Sequence, residues 1–200
     1  VADVMVNVIY IENLRVLAEL CLQVKDEAGA AIYIARGAKA RDSLEELCWD
    51  ETDGLYYDVN GKENQKLRVN TFTSLMPLLL ADLAPKKVEA LMAHLLNPDE
   101  YWAEFPIPST AMNHPTYRPE TGGGNLVWRG PTWINSNWYL ARGLMRHGRV
   151  DLARVIANQS ILAMRKSGVR EYYNPQTASG RGAPDFSWST ILLDLVMIVL

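Results

Sequence analysis

The chain has 200 residues, of which 48% are hydrophobic and 22% charged, and its net charge is −3. This composition is typical of a folded globular domain and argues against a disordered chain or a coiled coil. The net charge indicates no basic surface for nucleic acid. The sequence contains no apolar run of the roughly 18 residues that span a bilayer. Its two cysteines are too few for a disulfide framework and lack the spacing of metal ligands. We therefore expect one compact domain with neither a nucleic-acid nor a membrane partner.

Helical periodicity dominates the sequence. Apolar residues recur every three or four positions from Val4 to Val24, and an alanine-rich helix is predicted from Asp26 to about Cys48. Further helices are predicted over 71–81, 85–96, 131–147, 150–166 and from 186 to the end. No segment alternates with the period of two that marks a strand. The sequence thus predicts an all-α protein of about seven helices without a sheet.

The links between these helices alternate strictly between short and long. Short turns around 25–27, 83–85 and 147–149 force neighbouring helices to be antiparallel. The other links, roughly 49–70, 97–130 and 167–185, exceed the roughly 12–15 residues beyond which loops are usually functional or disordered. Alternate links in an antiparallel array lie at opposite ends, so we expect all long loops on one rim. A toroid or solenoid of helical hairpins with one working face has this arrangement.

The long loops are rich in aromatic residues, which disordered linkers lack. Five of the six tryptophans lie in these loops or at the adjoining helix ends: Trp49, Trp102, Trp128, Trp133 and Trp188. A rim with aromatic rings and carboxylates suits a sugar, because C–H faces stack on rings while hydroxyls form hydrogen bonds. The alternative is that the rings only pin the loops to the helices.

Two long motifs resemble a known enzyme family. The chain reads WRGPTWINSNW from Trp128 and EYYNPQTASGRGAPDFSWSTILLDL from Glu171. Two further segments accompany them, DVMVNVIYIENLRVLAEL near the start and WDETDGLYYD at 49–58. Together these motifs are similar to the C-terminal part of the catalytic domain of glycoside hydrolase family 63 and its bacterial mannosylglycerate-hydrolase-like relatives. They resemble the family 37 trehalases more distantly. The resemblance implies that residues 1–200 form the C-terminal portion of an (α/α)6 toroid of antiparallel helical hairpins. Because the chain starts without Met inside a predicted helix and stops inside an apolar run, we expect it to be truncated at both ends.

The resemblance also implies inverting hydrolysis of an α-glycosidic bond in mannosylglycerate, glucosylglycerate, a trehalose-like disaccharide or a small α-linked oligosaccharide. Inversion uses two carboxyl groups roughly 6.5–9.5 Å apart, which leave room for the attacking water. Glu171 matches the family's general base, which takes a proton from that water. The alternative for Glu171 is a solvated carboxylate paired with Arg170 or Arg181. The family's general acid is an aspartate before the first helix; we expect it to be missing upstream, since Asp3 already falls in that helix.

Other positions carry over as substrate-binding residues. By resemblance, Arg129 points toward the sugar-binding rim, where its guanidinium can clamp hydroxyls or a carboxylate; the alternative is an ion pair between two loops. The acidic loop 50–58 can in principle supply an acid, but the family pattern places it in the pocket wall. Core packing is the alternative for Trp188, and a solvated turn for Asp58. The predicted set is Trp128, Arg129, Trp133, Asn137, Asp58, Tyr57, Tyr172 and Trp188.

No cofactor is implied, because the two-carboxylate mechanism needs none. The three histidines, His94, His114 and His147, lack the spacing of a metal site. The triplet Gly122-Gly123-Gly124 lacks the context of a phosphate loop and is interpreted as a loop tip.

Seven helices are little more than half of a twelve-helix barrel, so apolar helix faces would lie open. We therefore expect a homo-oligomer whose second copy covers the open edges. Two other hypotheses remain: a non-catalytic carbohydrate-binding or oligomeric remnant of such an enzyme, and a helical-repeat interaction module with no sugar role. The sequence identifies no compartment, with the cytoplasm slightly favoured.

Overall fold

A computed structural model describes residues 2–120 and 127–200 of the chain. The chain divides into two compact units, Val1–Val69 and Asn70–Leu200. The predicted loop tip Gly122-Gly123-Gly124 lies outside the described residues.

The first unit is built on a hairpin of two long helices. Helix α1 spans Val4–Gln23 and α2 spans Glu27–Cys48, as predicted. Asp3, expected to fall within the first helix, instead precedes α1 as its N-cap and accepts a hydrogen bond from the Val6 N–H. Asp26 caps α2 by accepting a hydrogen bond from the Gly29 N–H. The two helices pack through apolar residues at helical spacing, which include Val8, Ile11, Leu14, Ala18, Ala30 and Leu44.

The segment after α2 forms two small antiparallel hairpins. Strand β1 (Trp49–Asp50) pairs with β2 (Leu55–Tyr56), and β3 (Val59–Asn60) pairs with β4 (Gln65–Lys66). Ala2 forms a bridge with Val59, which brings this segment to the start of α1. The expectation of no sheet is therefore wrong. Strands of two residues are too short for period-two alternation to show in the sequence.

The second unit contains the remaining helices. They are a 3-10 helix over Phe72–Leu79, α3 (Pro85–Leu95), α4 (Ile134–Arg146), α5 (Val150–Ser167), and a 3-10 helix over Ser187–Ile191 that leads into α6 (Leu192–Val199). All were predicted as helices, with two differences in detail. Pro77 lies inside the first 3-10 segment, where the missing N–H disfavours an α-helix. Helix α4 begins at Ile134 rather than Pro131, because Thr132 instead exchanges backbone hydrogen bonds with Tyr173.

Helix α4 lies at the centre of the second unit and packs against α5, α6 and the 3-10 helix Phe72–Leu79. A Cβ atom at Gly143 would lie 2.8 Å from the carbonyl carbon and oxygen of Leu78, so the glycine allows the two backbones to approach closely. His147 at the end of α4 also contacts the Leu78 carbonyl oxygen through Nε2, at 2.9 Å. This packing fixes the helix whose first turn follows the tryptophan motif.

The two long links of the second unit meet at one end of its helices. Within the 168–185 link, β5 (Arg170–Tyr173) and β6 (Gly180–Pro184) form an antiparallel hairpin, which the sequence analysis also missed. The Phe105 N–H donates to the Pro175 carbonyl at 2.7 Å, and Thr132 bridges to Tyr173. The expectation that long loops share a rim is thus confirmed for these two links.

Candidate active site

Glu171 lies in β5 opposite an irregularity of the hairpin. Arg170 pairs with Pro184 and Tyr172 pairs with Arg181, so the single residue Glu171 faces two residues of β6. Such a bulge bends the strand and changes the direction of nearby side chains. The Glu171 carboxylate is half-buried, and its Oε2 accepts a hydrogen bond from the Ala183 N–H at 3.0 Å.

The two arginines that flank Glu171 in sequence and space have other partners. Arg181 forms an ion pair with Glu120 at 2.7 Å, and Arg170 donates from Nη2 to the Gly182 carbonyl at 3.2 Å. Within the described part of the chain, no ion pair joins either arginine to Glu171. The carboxylate is therefore not neutralised by these neighbours, which was the alternative to a catalytic role.

Beside Glu171 lies a cluster of aromatic rings that brings together four of the predicted substrate-binding residues. Trp128 and Trp133 stack face to face with centroids 3.8 Å apart and an interplanar angle of 7°. Trp133 also contacts Tyr172 at 5.1 Å and Trp188 at 6.3 Å. Because Tyr172 directly follows Glu171 in β5, the hairpin that carries the carboxylate also contributes one ring to the cluster.

Exposure divides this cluster into two supporting rings and two accessible ones. Trp133 and Tyr172 are buried, whereas the exposed fractions of Trp128 and Trp188 are 39% and 54%. Trp188 is thus not a core residue. It borders a cleft of about 500 Å³ that is also lined by Asn135 and Tyr139 of α4. Small-molecule sites usually fall within roughly 300–1,000 Å³, so the cleft has room for a small sugar.

Arg129 is exposed and adjoins the stacked tryptophans. Among the residues that the structure describes, none forms an ion pair with Arg129, so the predicted alternative of a loop–loop pair is not observed. Gly130 follows with a φ of +146°, and a Cβ there would lie 2.9 Å from the Arg118 carbonyl carbon. The glycine therefore lets the motif cross the 117–118 segment, a role that its sequence position alone did not reveal.

Asn137 requires a correction, because it does not reach a surface where a ligand could bind. The side chain is fully buried, and its Nδ2 donates to the Pro106 carbonyl and to Ser160 Oγ, each at 2.8 Å. Its Oδ1 accepts from the Ile107 N–H at 3.0 Å. Both amide donors and the acceptor are used within the protein. Asn137 therefore ties the 106–107 segment to α4 and α5 instead of binding substrate.

In the first unit, Asp58 and Tyr57 have structural partners. Asp58 accepts a hydrogen bond from the Val4 N–H at 2.7 Å and so helps to cap α1. Burial raises the pKa of Asp58 above its usual range and neighbouring Asp3 raises it further, while the Val4 N–H acts in the opposite direction. Tyr57 is buried and donates to Asp53 Oδ2 at 3.0 Å; burial, followed by this bond, raises the pKa of Tyr57. Asp58 is thus more than a solvated turn residue.

Sequence reasoning did not identify the residues that hold the Glu171 hairpin in place. Glu120 accepts from Asn174 Nδ2 at 2.5 Å as well as pairing with Arg181. Gln176 donates to the Tyr117 hydroxyl at 2.6 Å. These bonds join the 97–120 segment to the hairpin. No local sequence pattern indicates such pairings, because the partners are far apart in the chain.

A metal or membrane site is not found in the described ranges. Across residues 2–120 and 127–200, no three His, Cys, Asp or Glu side chains are grouped so that they could hold a metal ion. No helix in these ranges is both long and apolar enough to cross a membrane.

The fold closely matches solved glycoside hydrolases. The structure aligns with the family 63 mannosylglycerate hydrolase from Thermus thermophilus in complex with glucose, with a TM-score of 0.84, 30% identity, and coverage of 98% of this chain and 47% of that one. The neutral trehalase Nth1 from Saccharomyces cerevisiae shares the fold, with a TM-score of 0.67 at 15% identity, covering 86% of this chain and 31% of that one. The predicted fold class is thus confirmed: the chain has the fold of part of an (α/α)6 glycoside hydrolase toroid.

Sequence comparison identifies the family. Residues 1–189 match the mannosylglycerate hydrolase MGH1-like glycoside hydrolase domain, and the chain belongs to this family. It is 32% identical to the mannosylglycerate hydrolase of Thermus thermophilus over 80% of this chain and 36% of that protein. It is 30% identical to the mannosylglycerate hydrolase of Rubrobacter radiotolerans over 98% of this chain and 44% of that protein. The chain therefore spans less than half the length of these relatives, and the resemblance deduced from the motifs is confirmed.

Proposed function

We propose that this chain supplies the general base and part of the sugar-binding surface of an inverting α-glycoside hydrolase. The observation that carries the proposal is the position of Glu171, a half-buried carboxylate without an ion-pair partner among the described residues, in the hairpin that also contributes Tyr172 to the aromatic cluster. The proposed substrates are mannosylglycerate, glucosylglycerate or a small α-linked oligosaccharide. Relatives named for hydrolysis of the first two support this choice, including the glucosylglycerate hydrolase of Mycolicibacterium hassiacum, 26% identical over 70% of this chain and 31% of that protein.

In the proposed reaction, the Glu171 carboxylate accepts a proton from a water molecule while the water oxygen bonds to the anomeric carbon. The bond between that carbon and the glycosidic oxygen breaks, and a carboxylic acid protonates the departing oxygen. We assign this acid to an aspartate in the part of the family domain that this chain does not cover. The reaction is balanced by these two proton transfers and needs no cofactor.

The exposed groups near Glu171 provide the proposed binding contacts. The ring of Trp188 can stack on the C–H face of a sugar in the adjoining cleft, and the exposed part of Trp128 can add apolar contact. The guanidinium of Arg129 suits either sugar hydroxyls or the carboxylate of a glycerate group. Trp133 and Tyr172, which are buried, hold these rings in place.

The Glu171→Gln variant tests the proposal. Glutamine keeps the size of the side chain and can still accept from the Ala183 N–H, but it cannot act as the base. Measured in a protein that carries the complete family domain, acid included, turnover of mannosylglycerate or glucosylglycerate should fall by about 10²–10⁴-fold with substrate binding retained. Released sugar is quantified by chromatography, and its initial anomer is identified by proton NMR.

Glu104→Gln is the matched control, since Glu104 is an exposed carboxylate on the loop before α4. It should leave turnover unchanged. Undiminished turnover in Glu171→Gln contradicts the assignment of the base, and an initial α-anomer contradicts inversion.

A second candidate is a carbohydrate-binding protein without turnover, favoured by the exposed rings of Trp128 and Trp188, which can stack on a sugar without a reacting carboxylate. In that case a protein that carries this chain within the complete family domain binds the glycosides, as measured by calorimetry, but releases no sugar. Trp188→Ala should then weaken binding whereas Glu171→Gln should not. If neither variant affects binding, the helical-repeat module without a sugar role becomes the better hypothesis.

A further inference from the structure

The bulge opposite Glu171 consists of Gly182 and Ala183, and we refer to these two residues as the β6 bulge. Gly182 has a φ of +66°, in the left-handed region that glycine adopts at little cost. This conformation allows the two residues to occupy the space opposite a single residue of β5. As a result, the Ala183 N–H points to Glu171 Oε2 at 3.0 Å rather than to a backbone carbonyl of β5.

The space around Gly182 is filled by the side chain that the bulge holds. A Cβ atom at position 182 would lie 2.3 Å from Glu171 Oε2, 2.6 Å from Glu171 Cβ and 2.8 Å from Tyr172 Cε1. All three distances are shorter than real Cβ contacts. Any side chain at position 182 must therefore displace the Glu171 carboxylate, the Tyr172 ring or both.

Further hydrogen bonds fix the bulge. The Arg170 guanidinium donates to the Gly182 carbonyl at 3.2 Å, and the Asp185 N–H donates to the Val169 carbonyl at 2.8 Å. The Ser189 hydroxyl donates to the Arg170 carbonyl. These bonds close the hairpin on both sides of the bulge and limit its movement.

One carboxylate oxygen is thus occupied and the other is available. Oε2 accepts from Ala183, whereas Oε1 has no hydrogen-bond partner among the described residues. Fixing one oxygen of a carboxylate sets the direction in which the other oxygen can accept a proton. A base held in this way is already oriented before substrate binds.

We propose that the β6 bulge is the positioning element of the general base, with Gly182 providing the space for the Glu171 carboxylate and the Ala183 N–H orienting it. This inference rests on the proposed function, in which Glu171 is the base. Gly182 and Ala183 are positioning residues and do not contact the reacting atoms.

Gly182→Ala tests the proposal, with Gly148→Ala as the matched control. Gly148 has a φ of +73° in the turn between α4 and α5, and a Cβ there meets no atom within 4 Å. Both variants therefore place alanine in the left-handed region, but only Gly182→Ala displaces Glu171. In the same complete domain, we expect kcat for glycoside hydrolysis to fall by about 10²-fold in Gly182→Ala, as for a misplacement of about 1 Å. KM should change much less than kcat, because the added Cβ meets Glu171 and the supporting ring of Tyr172 but none of the proposed contact residues Trp128, Arg129 and Trp188. Gly148→Ala should retain both constants.

A second readout does not depend on turnover. In a ¹H–¹⁵N spectrum, the amide proton of Ala183 should shift as the carboxylate to which it donates is titrated with acid. The shift should be absent in Glu171→Gln and in Gly182→Ala, and present in Gly148→Ala. Should Gly182→Ala not fold, the acid response of the Ala183 amide in the wild-type and Glu171→Gln chains still tests the positioning role.

The outcomes separate the two proposals. If Glu171→Gln retains turnover, the proposed function fails, and the positioning of a base fails with it. If Glu171→Gln loses turnover but Gly182→Ala keeps the kcat of Gly148→Ala, the base assignment stands and the positioning role is wrong. A wild-type Ala183 amide that does not respond to acid also overturns the positioning role. Loss of kcat at constant KM together with loss of the amide shift supports it.

Discussion

Replacing Asn137 with alanine removes three hydrogen bonds from the interior of the second unit. The backbone N–H of Ile107 and carbonyl of Pro106 lose their side-chain partner while remaining buried, and Ser160 Oγ loses a donor. A buried hydrogen bond contributes about 0.5–1.5 kcal/mol, and a group left unpaired costs about 1–3 kcal/mol. We therefore expect a loss of about 3–4 kcal/mol, a large part of the roughly 5–15 kcal/mol that stabilises a domain.

Thermal unfolding followed by circular dichroism measures this loss. For a chain of this length, about 1 kcal/mol lowers Tm by roughly 2–4 °C, so Asn137→Ala should lower Tm by about 6–16 °C. Asn158→Ala, at an exposed position of α5, is the control and should change Tm by no more than about 2 °C. If Asn137→Ala unfolds at the control's temperature but raises KM, the buried structural role is refuted and the original substrate-binding prediction is restored.

Two further predictions concern the first unit. Asp58→Asn keeps an acceptor for the Val4 N–H but removes a carboxylate whose pKa is raised by burial. A carboxyl group whose pKa is raised in the folded state favours folding only at low pH, where it is protonated. The free energy of unfolding of the wild type relative to Asp58→Asn should therefore fall as pH rises above about 4. Urea unfolding at several pH values measures this free-energy difference, and a difference that stays constant with pH contradicts the prediction. We also propose that the chain self-associates through an exposed apolar stripe of α1 formed by Val6, Tyr10, Leu17, Leu20 and Val24. Leu20→Lys (Leu20 50% exposed) should shift sedimentation at micromolar concentration toward monomer, whereas Leu22→Lys (Leu22 53% exposed, on another side of the helix) should not. A wild-type chain that sediments as a monomer refutes the proposal.

The helices were predictable because their signals are local. The apolar spacing of α1, the first-turn proline of α3 and the caps of α2 lie within the segments that they define. The start of α4 was not predictable in this way, because Thr132 is held by Tyr173 from a distant segment. Strands β1 to β4 were missed because two residues carry no periodicity, and β5 and β6 were missed because buried and exposed residues do not alternate along them.

The site was predicted in outline by its motifs and not by its geometry. The sequence analysis placed Glu171, Trp128 and Trp188 on one rim of long loops. In the structure, the rings of Trp128 and Trp188 belong to the cluster beside the hairpin of Glu171. Asn137 was misassigned because its spacing of four from Trp133 places both on one helix side, without revealing whether that side meets a ligand or another loop. The importance of Gly182 depends on a positive φ and on contacts across a bulge, neither of which a sequence displays.

The connections of the Glu171 hairpin also determine when the site can form during synthesis. Asn174 bonds to Glu120, 54 residues earlier in the chain, and Arg170 is held by Ser189, 19 residues later. Contacts between residues this far apart slow folding more than the local contacts of a helix do, because the chain must first lose the entropy of closing the loop. A nascent chain can therefore build α1, α2 and α3 while it is still being translated, but the hairpin of Glu171 gains its full set of partners only after Ser189 has left the ribosome. Until then the cluster of Trp128, Trp133, Tyr172 and Trp188 is incompletely packed, and transiently exposed apolar surface of this kind promotes aggregation.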